Sequence, residues 1–93
     1  MRVEFTDRAL AQIERIGNYI AADSPAAAAR VVRRIQSVAD QLAAHPWSGH
    51  KTSRPGNRVI FASPYPYLIA YTVRGDIVTI LRVRHAARRP LDH

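Results

Sequence analysis

The chain has no cysteine among its 93 residues, so disulfides, thiol nucleophiles and thiolate metal sites are excluded. It also lacks any apolar run approaching the roughly 18 residues that a membrane-spanning helix needs. The first ten residues, MRVEFTDRAL, lack the apolar block of a signal peptide. These absences lead us to expect a cytoplasmic protein with no membrane partner. The length predicts a single domain of residues 1–93.

Acidic residues are scarce: seven stand against fourteen basic ones, which gives a net charge of +7. Thirteen of the fourteen basic residues are arginine. Such an excess predicts attraction to a polyanion, either nucleic acid or an acidic protein. Arginine favours the protein partner more than lysine would, because a guanidinium also pairs with carboxylates and tolerates partial burial in an interface. A GC-rich genome would produce the same bias, so composition alone does not decide between partners.

The sequence offers little for a metal or a cofactor. His45 and His50 are separated by four residues, a spacing found in paired zinc histidines. Without a cysteine or a nearby carboxylate to complete the site, we interpret them as loop residues. The chain has no glycine-rich phosphate loop, nucleophile elbow or carboxylate pair. It therefore predicts no metal site and no cofactor.

The first half of the chain predicts a strand and two helices. Residues 2–5 alternate polar and apolar, which favours a short strand with Val3 and Phe5 facing inward. Thr6 is a plausible N-cap for a first helix that runs to about residue 22. A second helix begins at Ser24-Pro25, a capping hydroxyl followed by proline, and ends before His45-Pro46. Two helices joined by so short a connection pack as an antiparallel hairpin.

The second half predicts strands at 58–62, 67–73 and 77–83, after a polar loop at 47–57. Gly75 lies between the last two strands and supplies the positive φ of a hairpin turn. Trp47 is expected to fill the gap where the helices meet the sheet. The fold class is therefore α+β, with the order β-α-α-β-β-β: an antiparallel sheet with the N-terminal helical hairpin packed on one face.

The last strand carries both apolar and basic side chains. Alternation predicts that residues 77, 79, 81, 83 and 85 face the helices, whereas Val78, Ile80, Arg82 and Arg84 face away from them. Tyr67 and Tyr71 of the preceding strand are expected to add aromatic rings to the exposed surface. Because monomers rarely expose large apolar patches, we interpret this sheet face as an interface. The alternative is that Arg82 and Arg84 are solvated strand ends that prevent aggregation.

Several segments together resemble the RelE/ParE superfamily of type II toxin–antitoxin modules. They are HPWSG (45–49), Arg58, YPYLIAY (65–71), Gly75-Asp76 and ILRVRHAARRP (80–90). The resemblance spans nearly the whole chain and implies a toxin with the fold predicted above. It also implies a cognate acidic antitoxin that folds on binding, with promoter DNA binding carried by the antitoxin.

The resemblance allows two mechanisms. RelE-like members cleave messenger RNA on the ribosome, but the arginines and the tyrosine of that branch correspond here to Leu68, Ala86 and Asp92. If the chain were such an endoribonuclease, the groups left for general acid–base and phosphate chemistry would be Arg58, Arg84, His85 and Arg88. The alternative for His85 is a structural role at the end of the sheet. ParE-like members bind DNA gyrase without hydrolytic chemistry, and the departures favour that branch.

The expected binding surface for the antitoxin or the target combines the two layers of the fold. It consists of Arg30, Arg33 and Arg34 on the second helix, Tyr67 and Tyr71 on the middle strand, and Arg82, Arg84, Arg88 and Arg89 at the end of the chain.

Overall fold

A computed structural model describes residues 1–87 of the chain. The elements follow one another as β1 (Arg2–Phe5), α1 (Asp7–Ala21), α2 (Pro25–Gln41), β2 (His50–Lys51), β3 (Asn57–Phe61), β4 (Tyr67–Arg74) and β5 (Ile77–His85). The strands form one sheet in the order β1-β5-β4-β3-β2. The predicted α+β class and the order of helices and long strands are confirmed. Arg88 and Arg89 lie outside the described residues.

The sheet differs from the prediction at its two edges. β1 pairs with β5 in parallel, so that Arg2 lies beside Ile77, and the sheet is mixed. At the other edge, β2 is a two-residue strand that pairs antiparallel with β3 inside the segment predicted to be loop. The β2–β3, β3–β4 and β4–β5 pairs are all antiparallel. A parallel pair requires a long crossover, which the two helices provide between β1 and the rest of the sheet.

Both helices begin at the predicted caps. The Thr6 hydroxyl accepts a hydrogen bond from the Ala9 N–H at 3.0 Å and donates one to the Leu81 carbonyl at 2.9 Å. The Ser24 hydroxyl accepts from the Ala27 N–H at 3.1 Å, directly before proline at the first helical position. Thr6 therefore both starts α1 and fixes that helix to the middle of β5.

The hydrophobic core lies between the helical hairpin and one face of the sheet. The helices contribute Ile13, Ile35 and Leu42, which are buried, and the strands contribute Ile69, Tyr71, Val78, Ile80 and Val83. Val3 and Phe5 pack against this cluster, as predicted. Within residues 1–87, the structure has no helix that is both long and apolar enough to cross a membrane.

Candidate functional site

A β-bulge in β5 determines which side chains reach the exposed face of the sheet. Tyr71 pairs with Ile80 and its neighbour Ala70 pairs with Arg82, so Leu81 is an extra residue in β5. One inserted residue reverses the alternation that follows it. Val78 and Ile80 before the bulge and Val83 after it are therefore all buried against the helices. Strict alternation placed Val78 and Ile80 on the arginine side, and that prediction was wrong.

After the bulge, Arg82 and Arg84 lie on the face of the sheet that the helices leave uncovered. They border a cavity of about 220 Å³, which we call the sheet-face cavity. Its apolar floor comes from Val59, Leu68 and Ala70. Its basic rim consists of Arg54, Arg58, Arg82 and Arg84. Among residues 1–87, no Asp or Glu lines it. An apolar floor with a cationic rim suits an anionic ligand that also carries an apolar group.

The two tyrosines expected on this exposed face lie on the other side of the sheet. Tyr71 is completely buried and Tyr67 nearly so, both within the core. Their register with β5 explains the error, since Tyr71 pairs with the buried Ile80 and Tyr67 with His85. They cannot contact a partner on the exposed face, and the prediction that they belong to that surface was wrong.

The hydroxyl of Tyr71 holds the segment 45–49 in place. It accepts a hydrogen bond from the Gly49 N–H at 2.9 Å and donates one to the Pro46 carbonyl at 2.9 Å. Gly49 itself is buried. A buried peptide group without a partner is costly, so this phenol satisfies two groups that no strand or helix reaches.

We expect Tyr71→Phe to lower the free energy of unfolding by about 2 kcal/mol, because it leaves the Gly49 N–H and the Pro46 carbonyl without their partner. Urea denaturation followed by circular dichroism measures the change. Tyr65→Phe is the matched control, since the Tyr65 hydroxyl makes no hydrogen bond within residues 1–87. Equal stability of the two variants would contradict the proposed role of the Tyr71 hydroxyl.

Arg58 also supports the segment 45–49, from the same face as Tyr71. Its guanidinium donates hydrogen bonds to the Trp47 carbonyl at 3.2 Å and to the Gly49 carbonyl at 2.8 Å. It also lies 5.0 Å from the centroid of the Trp47 ring, in a cation–π contact. The Trp47 side chain is 60% exposed, so the prediction that it fills a gap in the core was wrong.

His85 lies at the opposite end of the helix-facing side of the sheet. Its ring packs edge-on against Tyr67, with centroids 5.3 Å apart and an interplanar angle of 85°. Its Nδ1 accepts a hydrogen bond from the Ala87 N–H at 3.1 Å. The ring therefore supports the turn that follows β5.

The four groups considered for catalysis do not converge. Arg58 and His85 share the helix-facing side, but two strand spacings and four residues of β4 separate them, on the order of 15 Å. Arg84 lies on the face opposite His85, where it lines the sheet-face cavity together with Arg58. Arg88 lies outside the described residues. Residues 1–87 also contain no group of three His, Cys, Asp or Glu side chains placed to hold a metal ion.

The arginines of α2 form a surface separate from the sheet-face cavity. Arg30 and Arg33 are exposed. Arg34 is half-buried and donates through Nε to the Ser63 carbonyl at 2.6 Å, which connects α2 to the turn before β4. The expected binding residues are thus divided between the helical layer and the open sheet face. Arg54 completes the rim of the cavity and was missed, although the absence of acidic residues between Asp40 and Asp76 was a signal for it.

Comparison with known proteins identifies the family of this fold. The model of the ParE toxin of the type II toxin–antitoxin system parDE matches residues 3–90. The putative toxin Y4kP of Sinorhizobium fredii is 44% identical over 85 residues, covering 91% of this chain and 88% of its own. Toxin RelE2 of Caulobacter vibrioides is 39% identical over 87 residues, covering 94% and 97%.

Solved structures give the same result. The chromosomal ParDE system of P. aeruginosa contains a chain that matches with a TM-score of 0.80 and 25% identity, over 91% of this chain and 95% of that one. The intact E. coli RelBE complex matches with a TM-score of 0.69 at 16% identity, over 94% and 98%, which shows the shared fold. The two-helix, mixed-sheet architecture is thus that of the toxins of type II toxin–antitoxin systems. This chain belongs to the ParE toxin family within the RelE/ParE superfamily.

Proposed function

We propose that this toxin acts in the ParE-like way, by binding a macromolecular target such as DNA gyrase, and that it breaks no bond in RNA. The observation that carries the proposal is the separation of His85 from Arg58 and Arg84, since the two arginines line the sheet-face cavity and His85 does not. General acid–base cleavage of RNA needs a proton-transfer group and cationic stabilisers within hydrogen-bonding reach of one phosphate. His85 instead packs on Tyr67 and accepts a backbone hydrogen bond.

The alternative is RNA cleavage in the RelE-like way, which the names of the Caulobacter relatives favour. Against it stands the position that corresponds to a family arginine, Leu68. Its side chain belongs to the apolar floor of the sheet-face cavity, opposite Arg84. Where the family arginine would bind a phosphate, this chain therefore carries the apolar side chain of Leu68.

Two assays with the purified chain separate these functions. We expect micromolar protein to inhibit supercoiling by DNA gyrase and to leave the message intact in a cell-free translation reaction. His85→Gln should inhibit gyrase as the parent does, since the imidazole has no catalytic role. Cleaved message that disappears with His85→Gln would overturn the proposal in favour of the endoribonuclease.

We further propose that the neutralising partner is an acidic antitoxin segment that lies on the exposed sheet face. The sheet-face cavity offers Arg54, Arg82 and Arg84 to carboxylates and an apolar floor to one side chain between them. A disordered segment that orders on binding can follow such a surface over several residues. In this complex the antitoxin would carry any promoter DNA binding.

A further inference from the structure

A long stretch of the sequence, which includes β2 and β3, contains no acidic residue. Between Asp40 and Asp76 the chain contains Lys51, Arg54, Arg58 and Arg74 but no Asp or Glu. The acidic residues at positions 4, 7, 14 and 40 belong to β1 and the helices, and Asp23 lies in the turn between the two helices. Among the described residues, no Asp or Glu lines either cavity at the β2–β3 end, so this end attracts anions.

The same end displays the single tryptophan of the chain. Trp47 is 60% exposed, yet its position is fixed, because its carbonyl accepts from Arg58 and the neighbouring Pro46 carbonyl accepts from Tyr71. The Arg58 guanidinium lies over the ring at 5.0 Å. A rigid aromatic ring in contact with an arginine and open to solvent is a preformed stacking platform, which binds at a low entropic cost.

A second cavity, of about 490 Å³, lies beside this ring. Trp47, Lys51, Arg54, Asn57 and Val73 are among the residues that line it, and no acidic residue does so within the described part of the chain. This cavity adjoins the sheet-face cavity, since the linings of both include Thr52, Arg54, Asn57 and Arg58. Trp47 and Lys51 line only the second cavity, whereas Arg82 and Arg84 line only the sheet-face cavity. The volume of the second cavity is within the range of small-ligand sites.

We propose that this end of the toxin binds single-stranded nucleic acid, with a base stacked on Trp47 and the adjacent phosphates on Lys51 and Arg54. An acidic peptide would satisfy the two cations but would give the exposed indole no planar partner. A duplex would offer phosphates but keeps its bases stacked on one another, out of reach of the ring. The site shares Arg54 with the sheet-face cavity but centres on Trp47 and Lys51, which do not line that cavity. It takes a different ligand from the antitoxin and does not depend on the molecular target, so it goes beyond the proposed function.

The fluorescence of Trp47 tests the proposal directly, since no other tryptophan contributes. A twelve-residue oligo(dT) and a twelve-residue oligo(rU) are titrated separately into the toxin. Each should quench the emission by about half or more, and the ratio of their affinities tells whether DNA or RNA is preferred. Two to three phosphate contacts predict that log K falls against log salt with a slope of roughly −1.4 to −2.

Charge-matched variants separate a local site from general attraction. The pair Lys51→Gln and Arg54→Gln should weaken oligo(dT) binding at least tenfold, whereas Arg30→Gln and Arg33→Gln, with the same loss of charge, should change it less than twofold. Circular dichroism melting verifies that both double variants remain folded. An equal loss in the two double variants, or equal quenching by duplex DNA or polyglutamate, would overturn the proposal.

Discussion

Replacing Gly49 with alanine is expected to lower the free energy of unfolding by about 3 kcal/mol, the largest stability effect we foresee for a single methyl group. An added Cβ would lie 2.5 Å from the Tyr71 Oη, 2.8 Å from its Cε1 and 2.8 Å from the Val59 carbonyl oxygen. The carbonyl belongs to β3 and the phenol to the core, so neither can move freely. Any shift also weakens the two hydrogen bonds of the phenol. Urea denaturation measures the loss, which corresponds to a melting temperature lower by roughly 12–20 °C.

Gly17→Ala is the matched control for this prediction. The new methyl group would meet only the Val32 Cγ2, at 3.2 Å, and alanine gains about 1 kcal/mol of helix propensity over glycine within α1. We expect the two effects to leave the stability within about 1 kcal/mol of the parent. If Gly49→Ala were as stable as Gly17→Ala, the segment 45–49 would have space for the added methyl group, and the close contact with Tyr71 would be contradicted.

Charge reversal at Arg82 is expected to weaken antitoxin binding by about 100-fold, the largest functional effect that the proposed interface predicts. Arg82 is half-buried beside the apolar floor of the sheet-face cavity, where water screens its charge poorly. Arg82→Glu would place a carboxylate against the carboxylates of the partner in that low-dielectric setting. Isothermal titration calorimetry with the cognate antitoxin measures the change.

Arg30→Glu provides the comparison, because it makes the same reversal on the exposed surface of α2. Pairs between exposed charges contribute about 0–1 kcal/mol, so the loss should not exceed roughly fivefold. Measuring both variants at two salt concentrations adds a second criterion, since the exposed pair is the more strongly screened. A larger loss of affinity at Arg30 than at Arg82 would indicate that the antitoxin binds the helical hairpin and not the sheet.

The elements of the fold were predictable because each one is marked locally. Thr6 and Ser24 mark the helix starts, and Gly75 adopts a φ of 60° in the hairpin turn where glycine was expected. The pairing of the strands was harder to predict from the sequence. The parallel β1–β5 pair joins the two ends of the described fold, and no short-range pattern encodes such a contact.

The site was predictable only in part, because one residue changes its geometry. The bulge at Leu81 reverses the alternation of side chains along β5. Uninterrupted alternation that places Val83 toward the helices therefore assigns Val78 and Ile80 to the wrong face of the sheet. The adjacent apolar pair Ile80-Leu81, followed by Arg82, was the available signal. Tyr71 could not be recognised as a loop support from sequence, since its hydrogen-bonding partners lie more than twenty residues away.

The parallel pairing of β1 with β5 has a consequence for synthesis of the toxin. Arg2 to Phe5 leave the ribosome before the helices, but their partners Ile77 to Ile80 emerge only after the helices and the strands β2 to β4. A nascent chain can build its helices early, yet the sheet stays incomplete until β5 has emerged, and pairing across so long a separation is slow. The cell therefore has an interval, before the sheet of the toxin is complete, in which an antitoxin that is already present can bind the nascent chain.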